Sequence, residues 1–174
     1  MTRELRNIHL NPAGGAEDRT RIFERMSQEG RARIVQYSLP EPSLEEWLKC
    51  TDPAKAWFGI LHTEPCAAQP EAGAAWITDF CGKTAFVHFV VFRGNGHLCR
   101  DMCRLTCQWA FDGGLACLLG LIPAVNRAAI AAMRASGWQE IFRIPQACYV
   151  HRLGRCVDGV LCHVTPKLFK EVLQ

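Results

Sequence analysis

Between Glu17 and Glu29, Ile22, Phe23 and Met26 stand at helical spacing behind a Gly-Gly pair, and the next stretch, Ala32 to Leu39, has the apolar alternation of a strand. Ser43 followed by Glu46 and Trp47 has the form of a capping box and predicts a short helix, ended by Asp52-Pro53. From Ala56 the pattern shortens to apolar runs split by turns. These runs, Trp57 to His62, Gly73 to Phe80 and Thr84 to Phe92, predict consecutive antiparallel strands. Glu64 to Glu71 and Cys81-Gly82-Lys83 connect them, the second short enough for a hairpin.

Arg93-Gly94-Asn95-Gly96 interrupts the pattern with residues that tolerate positive φ, and a helical stretch from about His97 to Phe111 follows, its apolar stripe being Leu98, Met102, Leu105 and Trp109. Asp112-Gly113-Gly114 stops it, and Leu115 to Ile122 is a continuous apolar run of the kind found in a strand covered on both faces. Strand, helix, strand in this order predicts a parallel pair. Pro123 ends the run, Val125 to Ser136 is alanine-rich and helical, and Gly137 stands where such a helix closes. Trp138 to Ile144 and Val157 to Val164 read as two final strands, with Ala147 to Arg155 between them or extending one.

Length and composition fit one globular domain over 1–174: 174 residues, nearly half apolar and about a fifth charged. Within it, 1–55 holds N-terminal helices and a first strand, 56–164 the core, and 165–174 a tail. The net charge of +3 comes from scattered arginines, which gives no strong case for nucleic acid. No apolar run approaches the roughly 20 residues that span a bilayer, and the opening residues lack the apolar centre of a signal peptide, so the chain reads as cytoplasmic. Its ten cysteines lie in apolar segments and read as mostly reduced thiols that serve as small buried hydrophobes.

A glycine-rich turn feeding a helix presents free N–H groups and the positive end of the helix dipole, which together hold a phosphate, and Arg93 adds a guanidinium fork. The stretch Arg93-Gly94-Asn95-Gly96-His97-Leu98 resembles the Q/R-x-x-G-x-G/A turn of the GNAT superfamily of acyl-CoA-dependent N-acetyltransferases, with Leu98 in place of the last small residue. Asn126, Ala129, Gly137 and Trp138 match the spacing of that family's asparagine, alanine and Gly-aromatic pair after the next strand. The segment Gly120 to Ala129 also looks like acetyltransferase-like proteins of phages and prophages.

The resemblance spans roughly Trp57 to Val164. It implies an α/β (α+β) fold: a mixed, mostly antiparallel, twisted sheet of about seven strands with helices on both faces, whose parallel strands 4 and 5 splay to admit the pantetheine arm. It implies acetyl-CoA as donor, an unidentified amine as acceptor, and direct attack. Val90, Val91 and Phe92 would hold the arm, Arg93 to Leu98 (that is, Arg93, Gly94, Asn95, Gly96, His97 and Leu98) the pyrophosphate, and Asn126 would assist. A homodimer stays open, and no membrane partner is implied.

For catalysis, His88 on the strand that would line the cleft has a side chain suited to proton transfer near neutrality, and Asp79 is a second candidate. The family's general-acid tyrosine falls seven residues beyond the asparagine, where this chain has Met133; Tyr149 is the alternative donor. That substitution also motivates a rival reading, a CoA-binding protein of the same fold that transfers weakly or not at all.

Cys99, Cys103 and Cys107 form a ladder about 12 Å long at 1.5 Å rise per residue, too extended to share one metal, and no metal site is expected. Cys148, Cys156 and Cys162 near His151 and His163 read as structural. Trp47, Trp57, Trp76, Trp109 and Trp138 occupy apolar positions in separate elements and read as core.

Overall fold

The computed structural model describes residues 8–37, 41–63 and 71–173. Seven strands form one mixed sheet in the order β1-β2-β3-β4-β5-β7-β6: β1 His9–Pro12, β2 Trp57–His62, β3 Gly73–Cys81, β4 Thr84–Val91, β5 Cys117–Pro123, β6 Gln139–Val150 and β7 Arg155–Val164. Only β4 and β5 run parallel. The helices are α1 Ala16–Gln28, α2 Ala32–Val35, α3 Leu44–Cys50, α4 Cys99–Asp112, α5 Arg127–Arg134 and α6 Pro166–Leu173.

The two faces of the sheet carry different layers. On one, Ile22, Phe23 and Met26 of α1 and Trp47 of α3 pack with Phe58, Ile60, Trp76, Val90 and Phe92. On the other, Cys103, Cys107 and Ala110 of α4, Met133 of α5 and Phe169 of α6 cover Val87, Leu118 and Val164. The period of two along β4 divides its side chains between these layers. α3 opens as its sequence predicts: the Ser43 hydroxyl accepts from Glu46 N–H at 3.2 Å and donates to the Glu46 carboxylate at 3.0 Å.

The first strand is not where the alternation placed it. Residues 32–35 are helical, with Ile34 N–H and Val35 N–H bonded to the Arg31 carbonyl and Gln36 N–H to that of Ala32; residues 38 and 39 of the predicted strand lie outside those described. A strand needs an unpaired neighbour, and the open edge of β2 is taken by His9–Pro12. With no ladder left to join, the segment satisfies its amides locally, and buried Ala32 seats it against α1.

Of Ala147 to Arg155, residues 147–150 extend β6, which follows β7 through two register shifts, residues 151–153 form a single 3-10 turn, and Arg155 opens β7. The tail carries α6. Of the predicted connection Glu64 to Glu71, residues 64–70 lie outside the described segments.

Candidate functional site

β4 and β5 pair over only three positions, Thr84↔Cys117, Ala85↔Leu118 and Phe86↔Leu119, although β4 continues to Val91 and β5 to Pro123. Beyond them the strands part. The Phe92 amide is bonded to the Ala72 carbonyl at 2.9 Å, on the β3 side. Bonding direction alternates along an antiparallel pair, so the peptide groups of Val90 and His88 also face β3, those of Phe89 and Val91 face the gap, and the Val87 N–H makes the last bond of the β5 ladder. On the opposite wall, Ala124 N–H bonds the Asp158 carbonyl on the β7 side at 2.8 Å, which by the same alternation turns the Leu121 peptide into the gap.

The gap opens into a cavity of about 620 Å³ whose lining comes from both layers: Gly94, Gly96, Cys103, Asn126 and Met133 from one, Ile34, Val35 and Tyr37 from the other. Residues 87–91 of β4, with Phe92 just beyond it, and 120–123 of β5 form its side walls. A ligand lying between the strands would therefore find free peptide groups along β4 and side chains above and below the sheet.

At the mouth is the turn between β4 and α4. Gly94 has φ +89°, which glycine adopts without strain, and both Gly94 and Gly96 have open space where a Cβ would stand. Asn95 N–H returns to the Phe92 carbonyl and Leu98 N–H to that of Asn95, while the N–H groups of Gly94, Gly96 and His97 have no acceptor among the described residues. These are the orphan donors of a helix start, and the exposed Arg93 guanidinium beside them pairs with no described carboxylate. The arrangement fits a diphosphate. Leu98, the departure from the family's pattern, does not crowd it: its side chain is buried with Ile8, Leu61 and Met102 in the core. The turn is tied to α1 through Glu29, whose carboxylate accepts Arg93 N–H at 2.7 Å, and through Arg25, whose guanidinium lies 4.1 Å from the Phe92 ring centroid.

Asn126 sits on the far lip. Its side-chain oxygen accepts Ala129 N–H at 3.2 Å and caps α5, which leaves its amide NH₂ for a ligand.

His88 lines the cavity with its ring stacked on Trp76, centroids 5.4 Å apart. Its Nε2 is 3.1 Å from the Thr78 hydroxyl, which donates its own proton to Asp79 at 2.7 Å. Thr78 can therefore only accept from His88, so Nε2 carries the ring proton and Nδ1 the lone pair. Burial pushes the His88 pKa down to about 4, with nearby Asp79 partly offsetting the shift. The imidazole is a free base at neutral pH. The unfolded chain, with an ordinary value near 6.5, takes up this proton first on acidification, so stability falls as pH drops from about 6.5 toward 4. His88→Gln should flatten that segment of a urea-midpoint profile against pH; an unchanged slope would contradict the burial of a neutral imidazole.

Tyr149 is placed elsewhere. Its ring packs edge-on against His151, centroids 5.1 Å apart, and it is absent from the described lining of the cavity. The tyrosine that does line it is Tyr37, which the sequence reading did not single out. Its hydroxyl donates to the Leu121 carbonyl. Burial raises its pKa above the ordinary tyrosine value, and the Cys148 and Cys162 thiols add to the shift. Nothing in the local pattern around Tyr37 announces this contact, which joins residues 84 positions apart.

No protein-family model matches the chain, and no curated protein matches its sequence. Solved structures do match. Spermidine N-acetyltransferase from Vibrio cholerae, in complex with CoA and spermine, superposes with a TM-score of 0.76 at 11% identity, over 94% of this chain and 98% of that one. RimJ from Mycobacterium smegmatis in complex with CoA-disulfide matches at 0.68 and 14% identity, over 92% of this chain and 82% of that one. A GCN5-related N-acetyltransferase from Kribbella flavida matches at 0.69 and 17% identity, over 91% and 98%. At these identities the likeness establishes the fold, which is that of the GNAT acetyltransferases.

Proposed function

We propose that this chain is an acetyl-CoA-dependent N-acetyltransferase that passes the acetyl group directly to an amine. The observation that carries the reading is the conjunction at one cavity of a strand gap with free β4 peptide groups and a mouth of unpaired amides. The gap suits a pantetheine arm, and Gly94, Gly96, His97 and Arg93 suit its diphosphate. A thioester is already activated, so the protein has mainly to align an amine, accept its proton and stabilise the developing oxyanion. The N–H groups facing the gap supply donors for that oxygen, and neutral His88 Nδ1 is the proton acceptor we assign. The amines named with the structural neighbours, spermine and spermidine, illustrate the acceptor class without fixing it for this chain.

Acetyl-CoA at about 100 times its Kd should raise native stability by about 2.7 kcal/mol, visible as a shift of several degrees in the melting midpoint. No shift at saturation removes the proposal. Thiol release across a panel of amines then separates transfer from the rival reading, binding without efficient turnover, which Met133 at the family's tyrosine position favours.

No helix among the described residues is long and apolar enough to cross a membrane, and their nine cysteines are all unpaired thiols, which supports a cytoplasmic setting within this proposal. The likeness to phage and prophage proteins rests on the Gly120 to Ala129 segment alone.

A further inference from the structure

The acetyl-transfer reading leaves one chemical need unmet by the helix from which the family would serve it: Met133 presents a thioether, not a hydroxyl, to the cavity. The chain contains two tyrosines, and Tyr149 stands against His151. Tyr37 comes from the other layer, two residues past the end of α2, and its hydroxyl ends on the carbonyl of Leu121.

That carbonyl has a defined place in the gap. Leu121 is two residues beyond Leu119, the last β5 residue paired with β4, and its peptide faces β4. Carrying the Phe86↔Leu119 register forward by two sets Leu121 level with His88. The Tyr37 hydroxyl thus stands on the β5 wall at the height of His88, facing the Phe89 peptide, whose N–H is the first on β4 beyond the stretch paired with β5. A thioester whose carbonyl oxygen is held by β4 N–H groups turns its sulfur toward the opposite wall, where this hydroxyl is.

We propose that Tyr37 is the catalytic hydrogen-bond donor to the departing thiolate, reaching the sulfur from the α2 side of the sheet. The inference rests on the transfer reading above. In the step itself, the amine nitrogen bonds to the carbonyl carbon, and the C–S bond breaks with its electron pair going to sulfur. The proton lost by the amine passes through His88 to solvent. Rotation about the Tyr37 Cζ–Oη bond redirects its hydrogen from the Leu121 carbonyl to the sulfur. Tyr37 keeps its proton, consistent with the rise in its pKa, so its effect is stabilisation of charge and persists across the working pH range.

The test compares wild type and Tyr37→Phe with an amine that wild type accepts, using acetyl-CoA and then an aryl thioester whose thiolate needs little stabilisation. A hydrogen bond to a charged leaving group predicts that kcat with acetyl-CoA falls about 10- to 100-fold while Kd for CoA stays within about twofold. With the aryl thioester the loss should largely vanish. Equal kcat for the two proteins overturns the inference. So does the same loss with both donors, which would make Tyr37 a prop for Leu121 and nothing more. Fluorotyrosine at position 37, a stronger donor of nearly the same shape, should raise kcat with acetyl-CoA, so the inference stays testable even if phenylalanine perturbs folding; no rise counts against it. If wild type binds acetyl-CoA and releases no thiol with any amine, the transfer reading falls and this inference with it. An unaffected Tyr37→Phe in an active enzyme leaves transfer standing and removes Tyr37 alone.

Discussion

Gly96→Asp should weaken coenzyme A binding by about 100-fold while leaving the chain folded, since a fixed like charge at an anion site costs several kcal/mol and about 2.7 kcal/mol is a factor of 100. The two effects separate because of where Gly96 sits. A Cβ there meets nothing within 4 Å, and the backbone is outside the left-handed region, so the substitution brings neither clash nor strain. Aspartate at the start of the turn that leads into α4 satisfies free N–H groups and suits the helix dipole, which favours folding. The carboxylate then occupies the place proposed for a phosphate. Calorimetric Kd and a urea midpoint measured on the same sample give both halves of the expectation, with Gly96→Ala as the uncharged control. Unchanged affinity in the aspartate variant would strip the turn of its assigned role, whatever the rest of the cavity does.

Trp47→Ala should be the most damaging single core change, costing about 4 kcal/mol, within the range for removing a buried aromatic, and lowering the melting midpoint on the order of 10 °C. Trp47 is completely buried. Its ring meets Trp76, Phe58 and Phe23 with centroids 4.9, 5.9 and 6.2 Å away, and its indole N–H donates to the Arg19 carbonyl at 2.8 Å. Arg19 reciprocates from α1, its guanidinium donating to the Leu48 and Thr51 carbonyls at 3.2 and 3.0 Å. Alanine would leave a void under α1 and α3 at the point where the two helices lock together. α2 packs against α1, so the loss should spread to Tyr37 and Ile34 at the cavity, and donor binding should weaken along with stability. A melting midpoint within a degree or two of wild type would show that this layer is not held as described.

Features whose physics is local were legible in the sequence. The Ser43 cap, the stop at Asp112-Gly113-Gly114 and the turn from Arg93 to Gly96 each depend on a few consecutive residues whose side chains or φ preferences act on their own backbone. The order of strands from Trp57 to Val164 was legible as well, because burial of one face or both leaves a period in the chain. Leu98 shows where that ends: its identity departs from the phosphate-turn pattern, yet the direction of its side chain, into the core with Met102, is set by the packing of α4 on the sheet.

The sequence by itself determined that a parallel strand pair flanks a helix opening on a glycine turn. Only the tertiary structure decided that the pair separates after Phe86 and Leu119, that His9–Pro12 takes the edge which residues 32–39 would otherwise have joined, and that Tyr37 reaches Leu121. Those outcomes depend on competition between segments far apart in the chain, for one sheet edge, one gap and one carbonyl. The free energy that settles such a competition belongs to the packed whole and leaves no period in any single segment.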